Sequence, residues 1–364
     1  MKNRTFLQFG FIVISFSFLF FSCEKNPASI ESYSNADWWI SSPAAQGLNP
    51  QRLAAAYYEA ENLTFVDALL ISKNYVLVSE KYFNGYDSLT GHNVKSVSKS
   101  FLSALVGIAR RENSLTDLNQ AMLDFFPEYN TPGLDPRKSS ITVRHLLTQK
   151  AGYEHERYNY SQIFSSSNWI KACIEFPLTY DPGSLFSYNT AQTHLLSGIL
   201  TKSTGISIRE FAATRLLGPS NITLTDWRQD PQGIYFGGNN MYFPPRSLVR
   251  FGQLYINDGS LDGNQIVPSE WIEDSWKDYS GQQNVNWGPL RDIGYGYLWW
   301  MGKMDDYQLY LAIGYGGQFI IDIPSINMIV VTTADSQVEW DTSDWQVFQI
   351  IELVYRNIIP AILD

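Results

Sequence analysis

The hydrophobic pattern divides the chain into three stretches. Near its start, Val66–Ile71 and Tyr75–Tyr82 are apolar runs of strand length, with Lys73-Asn74 between them as a tight hairpin. Ahead of them, Asn49-Pro50 predicts a capped helix running through about Asn62. From about residue 91 to 285 the periodicity is mainly helical. Lys95–Ala109 is apolar enough for a buried helix, Leu115–Phe126 reads as an amphipathic helix, and Ile141–Thr148 reads as a short capped helix closed by Ala151-Gly152. Residues 161–280 read as helix and loop, with Pro, Gly and aromatic residues dense at 228–246. Past about residue 290 short apolar runs return at Tyr295–Met301, Tyr307–Ile313, Gln318–Ile323 and Met328–Thr333, each bounded by turn residues. Trp345–Ile358 predicts a closing helix, and no internal repeat is visible.

Strands at both ends with helices between them predict an α/β (α+β) fold. One antiparallel sheet forms from N- and C-terminal strands flanked by helices, and a mainly helical lobe is inserted into it. The expected bounds are 46–90 with 286–364 for the α/β lobe and 91–285 for the helical lobe. The helix that begins near Ser96 opens the insertion, so its N-terminus should face the cleft between lobes. Small-molecule sites favour such clefts.

The first residues read as a targeting segment. Lys2 and Arg4 form a positive start, and Phe9–Phe21 is an apolar stretch too short for a comfortable membrane span. Phe20-Phe21-Ser22-Cys23 resembles a bacterial lipoprotein signal, which implies cleavage before Cys23, lipidation of that cysteine and a membrane partner through the lipid anchor. Residues 1–22 are then the signal peptide, 23–45 a tether and 46–364 the folded domain. The protein is expected to be exported to the cell envelope, facing the periplasm or the cell surface. Losing Lys2 and Arg4 takes the formal charge from −10 to −12. That acidity argues against nucleic acid and anionic lipid surfaces as partners. Only Cys173 remains beside Cys23, so no internal disulfide is expected.

Aromatic residues make up 15% of the chain, which suits either a large aromatic core or an aromatic-lined cleft. The histidines His92, His145, His155 and His194 have no metal-site spacing, and no phosphate loop, dinucleotide fingerprint or Gly-x-Ser-x-Gly elbow is present. No metal or other cofactor is implied.

The candidate chemistry is Ser96-Val97-Ser98-Lys99 at the mouth of the apolar helix. Residues i and i+3 share a helix face, which puts the Ser96 hydroxyl beside the Lys99 amine. Burial lowers a lysine's proton affinity, and a helix N-terminus offers free N–H groups to a developing oxyanion. A second Ser-x-x-Lys, Ser22–Lys25, lies in the signal region, so context and not the motif alone singles out Ser96.

Further segments follow in order: Ile141–Thr148 with Ala151-Gly152, then Pro182-Gly183-Ser184-Leu185-Phe186-Ser187-Tyr188, Phe251-Gly252-Gln253-Leu254 and Gly294-Tyr295-Gly296-Tyr297. Together they resemble the serine β-lactamase and penicillin-binding protein superfamily, in the class C-like branch that also holds esterases, peptidases and amide hydrolases. The resemblance runs from about residue 46 to 360. It implies Ser96 as nucleophile, Lys99 as its proton-accepting neighbour and Tyr188 as a general base of phenolate-like character, with the first proton acceptor left open between Lys99 and Tyr188. The motif Asn of the family falls on Thr190, which offers a hydroxyl and no amide, while Asn189 should point elsewhere. The family's third motif falls on Tyr315-Gly316-Gly317, where Tyr315 has no cation for a substrate carboxylate. Gly316 and Gly317 allow close backbone approach, and the Gln318 N–H matches the second oxyanion donor beside the Ser96 N–H. His145 is read as structural.

The leading expectation is an exported serine hydrolase of a small ester, amide or peptide substrate. One alternative is a penicillin-binding protein, D-amino-peptidase or weak β-lactamase. The rival from another class is a non-catalytic ligand-binding lipoprotein on the same fold.

Overall fold

Asn49 Oδ1 accepts from the N–H groups of Gln51 and Arg52 at 3.0 Å each, and with Pro50 in the first turn the helix Pro50–Asn62 forms as the sequence predicts. The computed structural model describes residues 38–282 and 284–363. The signal segment, Cys23 and most of the tether lie outside the described residues.

Seven strands form one antiparallel sheet, in the spatial order Val76–Tyr82, Val66–Lys73, Met328–Ala334, Gln318–Ile323, Tyr307–Gly314, Trp300–Met304 and Arg291–Tyr295. The N-terminal hairpin joins the C-terminal meander where Leu70 pairs with Val331. Everything between the two strand sets is therefore an insertion whose ends are pinned at the sheet. All eight residues of Val66–Lys73 are buried. Leu69 and Ile71 pack with Tyr57, Ile321 and Ile350 on one face, and Ala68 and Leu70 pack with Phe101, Phe251 and Ile320 on the other. Both faces are covered, so the strand reads as a continuous apolar run and not as an alternation. Helices Pro50–Asn62 and Trp340–Leu353 cover the first face, and Pro245–Ile256 lies against the second. The helix Ser98–Arg111 is buried at every position from Ser98 to Ala109.

Four local expectations are corrected. Of Leu115–Phe126 only Met122–Phe125 is helical. Asp117 Oδ1 accepts from the Asn119 N–H at 2.8 Å, a side-chain turn that competes with a helix, while Leu115, Leu118, Met122 and Leu123 still reach the core. The run Tyr295–Met301 spans two strands, because Gly296–Trp299 make a turn closed by Gly296 N–H to Trp299 O at 2.8 Å. The first hairpin turns at Asn74-Tyr75, both with positive φ, so its second strand begins at Val76 and not Tyr75. The closing helix starts early, at Trp340, and its last part, Val354–Ile358, widens into a π-helical turn.

A buried carboxyl group on the sheet has no partner. Asp322 is fully buried, and neither carboxyl oxygen has a hydrogen-bond partner among the described residues. It faces Gly252, where a Cβ would lie 2.7 Å from Asp322 Oδ1. Burial pushes its carboxyl well above the usual range, so the folded chain holds a proton that the unfolded chain releases at ordinary acid pH. The sign follows: the folded state binds more protons, and stability falls as pH rises above the unfolded value. Asp322→Asn should therefore melt at a higher temperature than the parent at pH 8, with the difference shrinking toward pH 5. Thermal melts across that range check it, and a parent curve that instead gains on the variant as pH rises contradicts it.

Candidate active site

Ser96 sits on the 3₁₀ turn Lys95–Val97 that leads into the helix Ser98–Arg111. The expectation that placed it on the helix itself is corrected by that one turn. Lys95 takes a left-handed φ of 49°, uncommon for a non-glycine residue. Its N–H donates to Asn93 Oδ1 at 3.0 Å, and the Val94 N–H donates to Met241 O at 3.0 Å, which holds the turn in place. Strained backbone of this kind persists only where the surroundings over-determine it. Ser96 remains partly exposed.

Lys99 is 1% exposed. Its Nζ donates to Ser96 Oγ at 2.8 Å, Thr190 Oγ1 at 2.9 Å and the Gly238 carbonyl at 3.0 Å. Burial lowers its proton affinity to about 8, and the negative charge of Glu156 opposes that fall. An amine so placed spends a useful fraction of time neutral near physiological pH, with a hydroxyl in hydrogen-bond reach.

Tyr188 arrives on the segment after Gly183. Two buried amides hold that segment: Gln149 Oε1 accepts from the Asn189 N–H at 2.6 Å, and Gln192 Nε2 donates to Ser187 O at 2.9 Å. The Tyr188 ring lies 4.9 Å from Lys99 Nζ, and its phenol is close enough to Ser96 to feel that hydroxyl. Burial first, and Glu156 second, push the phenol well above its ordinary value, with the Ser96 contact pulling the other way. That balance runs against the phenolate-like character implied for Tyr188 and favours the protonated phenol.

Thr190 opens the helix Thr190–Thr204. Its N–H donates to Glu156 Oε2 at 2.7 Å, and its hydroxyl makes a short bond to the same oxygen. Asn189 points away from the nucleophile, capping that helix through Ala191 N–H at 2.8 Å and donating to Glu154 O at 2.6 Å. Glu156, Gly238, Gln149 and Gln192 were not singled out in the sequence. Glu156 lies in the polar loop Glu154-His155-Glu156-Arg157, which has no periodicity or motif. The departure at Thr190 was the one local hint that a new partner was needed, and the Gly-rich 228–246 stretch the one hint of Gly238.

The third-motif residues Tyr315-Gly316-Gly317 form the turn between strands Tyr307–Gly314 and Gln318–Ile323. That turn abuts the segment that leads into Ser96, since a Cβ on Gly314 would lie 2.3 Å from Val94 O. Tyr315 donates its hydroxyl to Val338 O at 2.8 Å and meets Trp340 edge-on at 5.1 Å. Ser343 Oγ accepts from the Gly316 N–H at 2.8 Å, and Thr332 Oγ1 donates to Gly317 O at 2.8 Å. The Gln318 side chain turns inward onto the Ala334 backbone, at 2.7 Å and 3.1 Å, so only its backbone can serve a ligand.

An aromatic wall stands beside Ser96. Tyr188 stacks on Trp300 at 5.5 Å, Trp300 meets Tyr295 edge-on at 4.7 Å and lies tilted against Trp287 at 4.8 Å, and Phe186 lies 5.0 Å from Tyr295. Phe186, Tyr188, Trp287 and Trp300 each keep part of their surface open. His145 serves structure, closing a capping box with Thr142 at the helix Val143–Leu147. Among the described residues no group of three or more His, Cys, Asp or Glu side chains is placed to hold a metal ion, and Cys173 is a buried free thiol.

Gly238 needs its hydrogen. A Cβ there would lie 2.3 Å from Thr193 Oγ1, 2.7 Å from Thr190 Cγ2 and 3.2 Å from Lys99 Nζ. Gly238→Ala should displace Thr190 and Lys99 and slow covalent labelling of Ser96 by a fluorophosphonate by about 10²-fold, the cost of roughly an ångström of misplacement. A labelling rate equal to the parent's in a folded variant contradicts the tight packing at this carbonyl.

Comparison with known proteins gives a consistent picture. The family model described as Beta-lactamase matches residues 64–347. An uncharacterized protein of Alkalihalophilus pseudofirmus is 23% identical over 306 residues, 74% of this chain and 83% of that protein. The 6-aminohexanoate-dimer hydrolase of Paenarthrobacter ureafaciens is 24% identical over 229 residues, 58% of this chain and 57% of the relative. Among solved structures, a candidate 6-aminohexanoate-dimer hydrolase from Bacillus anthracis superimposes with a TM-score of 0.64 at 26% identity, covering 82% of this chain and 81% of that one. EstCE1, described as a hydrolase with promiscuous acyltransferase activity, shares the fold with a TM-score of 0.68 at 16% identity, covering 86% of this chain and 100% of that one.

Proposed function

The chain belongs to the beta-lactamase family, and from that premise we propose that it is a serine hydrolase that opens an ester or amide bond through an acyl-enzyme on Ser96. The observation that carries this reading is the buried Lys99 amine 2.8 Å from Ser96 Oγ. Neutral Lys99 takes the Ser96 proton as Oγ bonds to the substrate carbonyl carbon. The backbone N–H groups of Ser96 and Gln318 receive the oxyanion. The tetrahedral intermediate collapses when the neutral Tyr188 phenol gives its proton to the leaving group, and Lys99 returns a proton to Tyr188. Water, deprotonated through the same pair, then cleaves the acyl-enzyme. No step calls for a metal or other cofactor.

The substrate class follows from charge and shape. Tyr315 stands where a cation would hold a substrate carboxylate, and its hydroxyl is already engaged by Val338 O. Arg157, on the same side of the site, is paired with Asp344 and Asp341. Together with the acidic chain, this disfavours an anionic substrate. The aromatic wall of Phe186, Tyr188, Trp287 and Trp300 favours an apolar acyl or leaving group. The relatives named as hydrolases of the 6-aminohexanoate dimer support cleavage of a linkage between amino-acid units as one form of this chemistry. Penicillin binding is the second reading, favoured by the retained Ser96, Lys99 and Tyr188 and weakened by Tyr315.

Intact-mass labelling of the chain starting after Cys23 with a fluorophosphonate tests the proposal. The expected result is a single adduct on Ser96, absent in Ser96→Ala, with short-chain aryl ester turnover lost in the same variant. The rate should rise with pH toward a plateau above about 8, because Lys99 acts in its neutral form. A fluorescent penicillin in the same assay should label weakly. No adduct, together with ligand-dependent stabilisation and no turnover, would favour a non-catalytic binding protein.

We further propose that the chain is exported and lipid-anchored at Cys23, from the signal pattern that precedes it. Radiolabelled palmitate should enter the full-length protein in a bacterial host and be lost in Cys23→Ala; label that persists in the variant removes the anchor.

A further inference from the structure

The three neighbours of Lys99 Nζ differ in what they can accept and give. The Gly238 carbonyl only accepts, so it always takes one N–H of Lys99. The Thr190 hydroxyl could either give or take. Its proton is committed to Glu156 Oε2, which also receives the Thr190 N–H at 2.7 Å. Thr190 Oγ1 is thereby left with lone pairs alone toward Lys99, and it takes a second N–H at 2.9 Å. A neutral amine has two N–H groups and one lone pair. With both N–H groups taken, the lone pair has one direction left, toward Ser96 Oγ at 2.8 Å.

We propose that Glu156 is a positioning residue for acylation, acting through the Thr190 hydroxyl to aim the lone pair of Lys99 at Ser96 Oγ. This rests on the reading of Ser96 as nucleophile and Lys99 as its base. Glu156 touches no reacting atom. Its turn, Glu156–Tyr158, is tied to the site by Glu156 N–H to Tyr188 O at 3.0 Å, and the residue is 7% exposed. A threonine where the family has a planar amide thus acquires a fixed polarity from a buried carboxylate behind it.

The charge of Glu156 has its own consequence. Its field favours the protonated amine of Lys99, against the desolvation that favours the neutral one. The titratable groups that surround this pair are phenols: Tyr188, with its ring 4.9 Å from Lys99 Nζ, and Tyr160 and Tyr295, which also feel Glu156. Burial raises all three, so they remain neutral through the range in which Lys99 titrates. Glu156 is the charged side chain whose loss would move Lys99, and it would move it downward.

The test uses the whole chain and reads kcat, KM and the pH profile of aryl ester hydrolysis, after fluorophosphonate labelling has shown Ser96 to be reactive in the parent. Glu156→Gln keeps an oxygen to accept from Thr190 and loses the charge. The acid limb of kcat/KM should move to lower pH, and the plateau kcat should fall by a few-fold because a neutral amide oxygen is the weaker acceptor for Thr190. Thr190→Val removes the relay and should lower kcat by about 10²-fold, the scale of a positioned base, with KM little changed. Thr190→Ser should restore most of it. An unshifted limb in Glu156→Gln, or a parental kcat in Thr190→Val, overturns the proposal. A parent that is not labelled at Ser96 defeats the prior reading of the site, which is a different result from either of these.

Discussion

Burying the Lys99 amine is the constraint around which the site is built. Removing an ammonium from water is costly unless acceptors replace the lost hydration. The three that do so come from distant parts of the chain: Ser96 on the nucleophile turn, Thr190 at the start of a second helix and Gly238 in the Gly-rich loop. Satisfying one nitrogen therefore requires all three segments to converge. The incomplete compensation leaves the amine with a proton affinity near 8 and a hydroxyl in hydrogen-bond reach.

The sheet supplies the other half of the site. Pairing of Val66–Lys73 with Met328–Ala334 closes the chain on itself and pins both ends of the helical insertion. The nucleophile turn lies directly against the strand end at Gly314, where even a methyl group would collide with Val94 O. That contact places the Tyr315–Gly317 turn beside Ser96, with its own hydrogen bonds to Val338, Ser343 and Thr332 keeping it rigid.

Two side-chain exchanges set this chain apart from the pattern it resembles. Thr190 replaces an amide, and Glu156 stands behind it as the partner that gives the hydroxyl a direction. Tyr315 replaces a cation, and the nearby Arg157 is drawn away to Asp344 and Asp341. The first exchange changes a partner of Lys99 Nζ; the second leaves an engaged hydroxyl where a cation would stand.

The sequence by itself determined the architecture and singled out Ser96, Lys99 and Tyr188, which the fold brings together. Short apolar runs at both ends with helical spacing between them foretold the sheet and its insertion, because burial on two faces writes itself as consecutive apolar residues such as Ala68–Ile71 and Met328–Val331. Ser96 and Lys99 were legible because they lie three residues apart, and Tyr188 because it follows a distinctive turn. Local side-chain turns were less legible: Asp117 diverted a predicted helix, and Gly296–Trp299 split a predicted strand. What only the tertiary structure decided was the company Lys99 keeps and the surroundings of Tyr188. Glu156 and Gly238 lie 57 and 139 residues from Lys99 along the chain, in segments with no period of their own. Their effect is electrostatic and depends on distance and burial, quantities that come into being only when the chain has folded.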